Sequence, residues 1–327
     1  MTRRVGRNDH KQDRTKFHYS FLKILSGSDL SRRRLPYMQA ESTQPGPNVW
    51  LTACSHGDEV GGLVVVQEVF KRLHKLPLLK GSLRAFPLMN PLGFEVGTRH
   101  VSFSEEDLNR SFPGNPNGTL AERIADKIFG TIIETQPLVV LDLHNDWIRS
   151  IPYTVLDPPS GGDVERRTTE FARTTGFLVV SEQDILRKTL SHSLVQRGIS
   201  ALTIELGESY VVNEKNVEFG LQSVFNVLSD LGMVACDTSP FQYPVPEEVM
   251  GKPLRYSNQP ISSTSGILRF LVGVGTLVRS GQPVAKVFNA FGRLQETLLA
   301  SSDGIVLGIS DSSVAFPGAP VMAFGLL

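Results

Sequence analysis

Cysteine is scarce in this chain. Its two residues, Cys54 and Cys236, cannot build a disulfide framework, and no CxxC spacing offers a structural zinc site or a thioredoxin-like redox pair. A reducing compartment fits best. Long apolar runs are missing as well: nothing approaches the ~18 to 20 residues needed to span a bilayer, and the first residues lack the apolar stretch of a signal peptide. The expectation is a cytoplasmic protein with no membrane attachment. Neither charge is in surplus. Lys plus Arg equals Asp plus Glu at 33 each, so no global field draws the chain toward nucleic acid or an anionic membrane. Function must therefore sit in a local site.

The 327 residues are 40% apolar and 20% charged, ample material for a core. At about 150 residues per domain, this length suggests two domains. The first 34 residues hold ten basic and three acidic side chains, densest at Arg32-Arg33-Arg34. The rest of the chain offsets that charge, so it reads as a solvated tail leading into an edge strand. From about Pro47 short apolar runs alternate with amphipathic segments, the texture of βα units and a largely parallel sheet. Strands are expected at 48–54, 83–89, 138–143 and 201–206, and helices at 61–73, 121–133 and 216–231. Ile124, Ile128 and Ile132 should share one helix face. After about Pro240 a proline-rich stretch gives way to short apolar runs punctuated by glycine, an all-β appendix of sandwich or barrel type.

The strand at 48–54 runs into Ser55-His56-Gly57-Asp58-Glu59 and then directly into a helix. This is the C-terminal end of a strand in an open α/β sheet, where ligands collect. His56 and Glu59, three residues apart on a turn eased by Gly57, can meet one cation. His144 follows its own strand in the same way and completes a His/Glu/His set suited to zinc with an open position. Each part alone has a plainer use as a surface or capping residue. Asp142, two residues before His144, is either an orienting carboxylate for that histidine or a polar strand-end residue. Glu205 is an acid inside the apolar strand 201–206, a costly placement unless the group is paired or used. It fits a general base or a structural ion pair, with Glu208 as a competitor from the loop beyond Gly207. Asn109 and Arg110 can present an amide and a guanidinium to one carboxylate, and Arg99 can stabilise an oxyanion.

Four ordered motifs, His56-Gly-Asp-Glu59, Asp107-Leu-Asn-Arg110-Ser-Phe-Pro-Gly114, Leu141-Asp-Leu-His144 and Thr203-Ile-Glu205-Leu-Gly207, together resemble the succinylglutamate desuccinylase/aspartoacylase family, a branch of the zinc carboxypeptidase-like enzymes. The resemblance covers roughly residues 45–327. It implies a three-layer α/β/α domain with a mixed sheet over 17–245, after a basic tail over 1–16, and a smaller biotinyl/lipoyl-like all-β domain over 246–327. No Met-Lys-Met or Asp-Lys-Ala attachment turn is present, so the β module is not read as a lipoylated or biotinylated carrier. The resemblance also implies one Zn2+ per chain on His56, Glu59 and His144, Glu205 as general base, Asn109 and Arg110 on the substrate carboxylate, and Arg99 near the reacting carbonyl. The expected activity is hydrolysis of the amide of a small carboxylated N-acyl amino acid. A metallocarboxypeptidase and a non-catalytic metal-binding scaffold are the alternatives. Arg149, Arg187, Arg197 and His192 are further candidates for substrate contacts, and the reading is compatible with a homo-oligomer.

Overall fold

The computed structural model describes residues 15–26, 30, 32–158, 161–182, 187–235, 243 and 245–327. The basic tail through residue 14, Cys236 and part of the 240–246 stretch lie outside them. The charged N-terminal region ends in an antiparallel pair, β1 (Lys16–Ser26) and β2 (Arg32–Glu41), with β1 at the sheet edge. Next come β3 (Asn48–Ala53), α1 (Gly61–Leu73), β4 (Ser82–Phe86), α2 (Pro91–Val96), α3 (Leu120–Glu134) and β5 (Val139–His144). A more polar region supplies β6 (Arg149–Ser150), β7 (Tyr153–Leu156), α4 (Gly162–Thr174), β8 (Val179–Ser181) and α5 (Leu190–Val195), before β9 (Ser200–Glu205) and α6 (Glu214–Asp230). The C-terminal strands are β10 (Pro253–Ser257), β11 (Gly266–Phe270), β12 (Leu277–Val278), β13 (Pro283–Phe288), β14 (Leu294–Leu299), β15 (Gly304–Ile309), β16 (Val314–Ala315) and β17 (Met322–Leu326).

The large sheet runs β1-β2-β4-β3-β5-β9-β7-β8-β10-β17-β15-β12. Its middle is parallel from β4 through β3 and β5 to β9, and β7 then reverses direction against β9, so the sheet is mixed. β3 and β5 are buried along nearly their whole length, because helices cover both faces. On one face α1, α4 and α6 contribute Val66, Phe70, Phe171, Val224 and Leu228. On the other, α3 and α5 bring Ile124, Ile128, Ile132, Leu190 and Leu194 against Trp50, Phe86 and Val140. The three isoleucines thus share a buried face, as their spacing predicts, and Thr119 with Glu122 closes a capping box at the start of α3. This is a three-layer α/β/α architecture.

The glycine-punctuated runs of the C-terminal part divide between two sheets. β14-β13-β11-β16 form a separate antiparallel sheet, whereas β10, β17, β15 and β12 continue the large one. Leu268, Val284, Val287 and Leu298 from the small sheet share a core with Val306, Met322 and Phe324. β15 also pairs with β6, placing Gly308 opposite Ser150 and Ile309 opposite Arg149. A Cβ on Gly308 would lie 2.5 Å from Trp147 Cδ1, and Ile148 N–H donates to Asp311. The loop that leaves His144 is therefore packed under β15. Gly308→Val should push Trp147 out, cost about 1–3 kcal/mol of stability in urea unfolding, and speed amide exchange across 145–150 while leaving β3 protected. Unchanged exchange in that loop would show that Trp147 does not depend on the seam.

Candidate metal centre and active-site cavity

The parallel strands β3, β5 and β9 end side by side, and the candidate residues lie at those ends. After β3 the chain turns through 54–59 against the segment 90–98: Asn90 N–H donates to Cys54 O at 2.8 Å and Gly57 N–H to Thr98 O at 3.0 Å. Glycine at 57 is needed for this approach, since a Cβ would fall 2.0 Å from the Gly93 carbonyl carbon. His144 closes β5, and the β5–β9 register sets it directly beside Glu205.

His56, Glu59 and His144 are buried, and one ligand atom from each lies within 4.8 Å of the others, so the three could hold a metal ion. His56 Nδ1 is 2.6 Å from Glu59 Oε1 and His144 Nδ1 is 2.8 Å from Glu59 Oε2. The outer nitrogens are held as well. His56 Nε2 lies 3.0 Å from Asp107 Oδ1, and His144 Nε2 lies 2.9 Å from Asp142 Oδ2, whose other oxygen accepts from the Thr52 hydroxyl at 2.7 Å. An imidazole that donates Nε2–H to a carboxylate leaves Nδ1 as a lone pair, and both lone pairs point at an acceptor-only carboxylate. Acceptor facing acceptor is stable only with positive charge between them. The donor set thus fits a divalent cation, with Asp107 and Asp142 fixing the ring orientations.

Without a metal ion the same need appears as protonation. Burial lowers the pKa of His144, but Asp142 and Glu59 outweigh it and hold it well above the usual histidine range; His56 is raised in the same way by Glu59 and Asp107. Burial pushes the Glu59 carboxyl up, and the two histidines more than reverse this, leaving it well below the usual range.

Arg99 borders this centre. Its guanidinium grips Asp107 Oδ2 through Nε at 3.1 Å and Nη2 at 2.9 Å, and Nη1 is 3.6 Å from Glu59 Oε1. Asn109 is buried. Its Oδ1 accepts from Leu190 N–H at 2.9 Å, and its amide nitrogen lies 3.4 Å from His144 Nε2. Arg110 is exposed and donates to the Asn109 carbonyl at 2.8 Å. All three, with the triad and Glu205, line one cavity of about 200 Å³. Glu205 Oε2 is buried there with no hydrogen-bond partner among the described residues, and burial, reinforced by Asp146, holds this carboxyl well above its usual range.

The structure adds residues that the sequence reading did not single out. Asp107 lies inside a quoted motif, yet nothing local marks it as the partner of His56 and Arg99. Tyr153 and Asp146 share a hydrogen bond of 2.5 Å beside Glu205, and burial pushes Asp146 up to about 7. Asp142 holds His144, which answers its open alternative. Glu208 accepts from Asn213 and Asn216 near the start of α6. Arg149, Arg187, Arg197 and His192 do not line the cavity; Arg149 lies over the Phe270 ring instead, 5.4 Å from its centroid.

Residues 45–231 match the succinylglutamate desuccinylase/aspartoacylase catalytic domain. The chain belongs to this family. Among its relatives, the N-alpha-acetyl-L-2,4-diaminobutyric acid deacetylase of Halomonas elongata is 29% identical over 256 residues, 75% of this chain and 71% of that protein. The product-bound structure of the ectoine utilization protein EutE (DoeB) from Ruegeria pomeroyi superposes with a TM-score of 0.81 at 20% identity, covering 96% of each chain. A metallo-carboxypeptidase from Burkholderia cenocepacia superposes over 65% of each chain, with a TM-score of 0.55 at 16% identity. Over that part the chain shares the fold of the metallo-carboxypeptidase. Because Asp142 sets the outer nitrogen of His144, Asp142→Asn should weaken divalent-cation binding about 10- to 100-fold in a chelator-competition titration. Affinity equal to that of the unmodified protein would show that the carboxylate does not orient the ligand.

Proposed function

We propose that the chain is a zinc-dependent hydrolase cleaving the amide bond of an N-acyl amino acid. The observation that carries this reading is the convergence of three acceptor atoms from His56, Glu59 and His144 beside the unpartnered oxygen of Glu205. Two histidines and one carboxylate, with room left in the cavity, are a donor set suited to catalytic zinc. Zinc bound there supplies Lewis acidity and lowers the pKa of water toward ~7.

The remaining roles fall to the chain's own residues. With a dication on the triad opposing the effect of burial, the Glu205 carboxylate takes a proton from the attacking water at its free oxygen and delivers it to the departing nitrogen as the C–N bond breaks, so that an acid and an amine leave. Arg99, held in place by Asp107, faces the negative charge that develops on the carbonyl oxygen. Asn109 and Arg110 hold the substrate carboxylate, the amide anchored by its bond from Leu190 and the guanidinium set at the cavity wall with Nη1 on the Asn109 carbonyl. Family membership supports a deacylase over a scaffold, because relatives carry the names of deacetylase and desuccinylase.

The compound named for the Halomonas elongata relative heads the substrate panel, beside N-succinyl and N-acetyl amino acids and short peptides. Chelation should abolish turnover and zinc should restore it. Glu205→Gln should keep one zinc per chain and the fold but lose at least about 100-fold in kcat. A variant that hydrolyses as fast as the parent would remove Glu205 from the chemistry, and turnover of peptides alone would make the chain a carboxypeptidase.

A further inference from the structure

The cavity extends beyond the triad along the sheet, toward a wall that carries Asp157 and Glu182. Tyr153 lies opposite Glu205 and Val155 opposite Thr203 in the β7–β9 register, and all four line the cavity. The two-residue period puts Asp157 on the same face, about 13 Å along the strand line from Tyr153. Leu156 pairs with Ser181, and Glu182 N–H donates to Leu156 O at 2.9 Å, so Asp157 and Glu182 emerge next to each other from adjacent strands. Both line the cavity, with Tyr256 next in the row through the pairing of Arg255 with Ser181. The cationic side chains on the wall, Arg99 and Arg110, belong to the segment around the triad.

Asp157 is short of donors. Ser191 bonds its carboxylate and His192 lies near, but Oδ2 is buried without a hydrogen-bond partner among the described residues. A buried carboxylate oxygen without a donor is costly unless a bound group supplies one. We propose that this end of the cavity receives an ammonium group of the substrate, held by Asp157 with Glu182, so that the chain selects N-acyl amino acids carrying a positive charge a few bonds from the scissile amide. The selection rests on the deacylase reading, and it assigns the two ends of the cavity to the two charges of one substrate: carboxylate at Asn109 and Arg110, ammonium at Asp157. The ammonium can belong to the released amino acid, as in an N-α-acyl diamino acid, or to the acyl group, as in a dipeptide.

Three substrates separate these sources: N-α-acetyl-L-2,4-diaminobutyrate, N-acetyl-L-2-aminobutyrate, which lacks the amine, and glycyl-L-2-aminobutyrate, whose amine is on the acyl side. The zinc-loaded full chain should favour a charged substrate over the neutral one at least tenfold in kcat/KM. Asp157→Asn should reduce that ratio about 10- to 100-fold, the worth of a hydrogen bond to a charged group, and Glu182→Gln gives a second reading should the first variant not fold. Calorimetric binding of L-2,4-diaminobutyrate against L-2-aminobutyrate provides a readout independent of turnover. Equal kcat/KM and equal binding for charged and neutral compounds would overturn the subsite while leaving the deacylase intact. Selective binding lost in Asp157→Asn, with no hydrolysis of any amide, would keep the subsite and sink the deacylase.

Discussion

Two imidazole nitrogens aimed at one buried carboxylate require positive charge between them, and much of the site is organised around that requirement. Both histidines have their Nε2 atoms committed to Asp107 and Asp142, so neither ring can turn its other nitrogen inward without breaking a buried bond. The arrangement depends in turn on sheet register. Thr52 lies beside Asp142 in the β3–β5 pairing, and its hydroxyl satisfies the oxygen that His144 leaves open. A one-residue slip between those strands would turn Asp142 to the opposite face and strand it without a donor.

Burying this many polar groups is costly, and their mutual satisfaction offsets the expense. Asn145 illustrates how. Its backbone N–H donates to Glu59 Oε2 at 3.2 Å, its Oδ1 accepts from Gly61 N–H at 3.1 Å, and its amide donates to the carbonyls of Gly207 and Glu208. One side chain therefore ties the end of β5 to the start of α1 and to the loop after β9. Gly61 makes room for it, since a Cβ there would lie 2.8 Å from the Asn145 amide nitrogen.

The parts of this site legible in the sequence are those that follow a strong apolar run. His56, Glu59, His144 and Glu205 sit at the ends of β3, β5 and β9, whose burial makes them visible as strands, and strand ends in an open α/β sheet are where ligands gather. The region from Asn145 to Ser181 gave no such signal. β6 and β8 have two and three residues, and α4 (GDVERRTTEFART) buries only Thr168, Phe171 and Ala172, too few to set a helical period. The outer wall of the cavity was consequently invisible. Asp107 was hidden for another reason: its partners are 51 and eight residues away, and only the fold brings them together. In the C-terminal part, local texture revealed strands but not pairing partners. All six residues of β15 (GIVLGI) are buried, the pattern of an interior strand, and β15 proves to carry β6, β12 and β17.

The reversal at β7 gives the cavity its length. Had β7 run parallel to β9, its first residue would lie at the far end of the sheet and only its last would approach Glu205. Running antiparallel, it places Tyr153 beside Glu205 at once and then carries Val155 and Asp157 away across the same face. β8 and β10 follow the direction of β7 and widen that wall with Glu182 and Tyr256. The cation centre thus comes from the parallel half of the sheet and the acidic wall from the reversed half. Each half could change its side chains without disturbing the register of the other, which separates the candidate metal centre from the outer wall of the cavity.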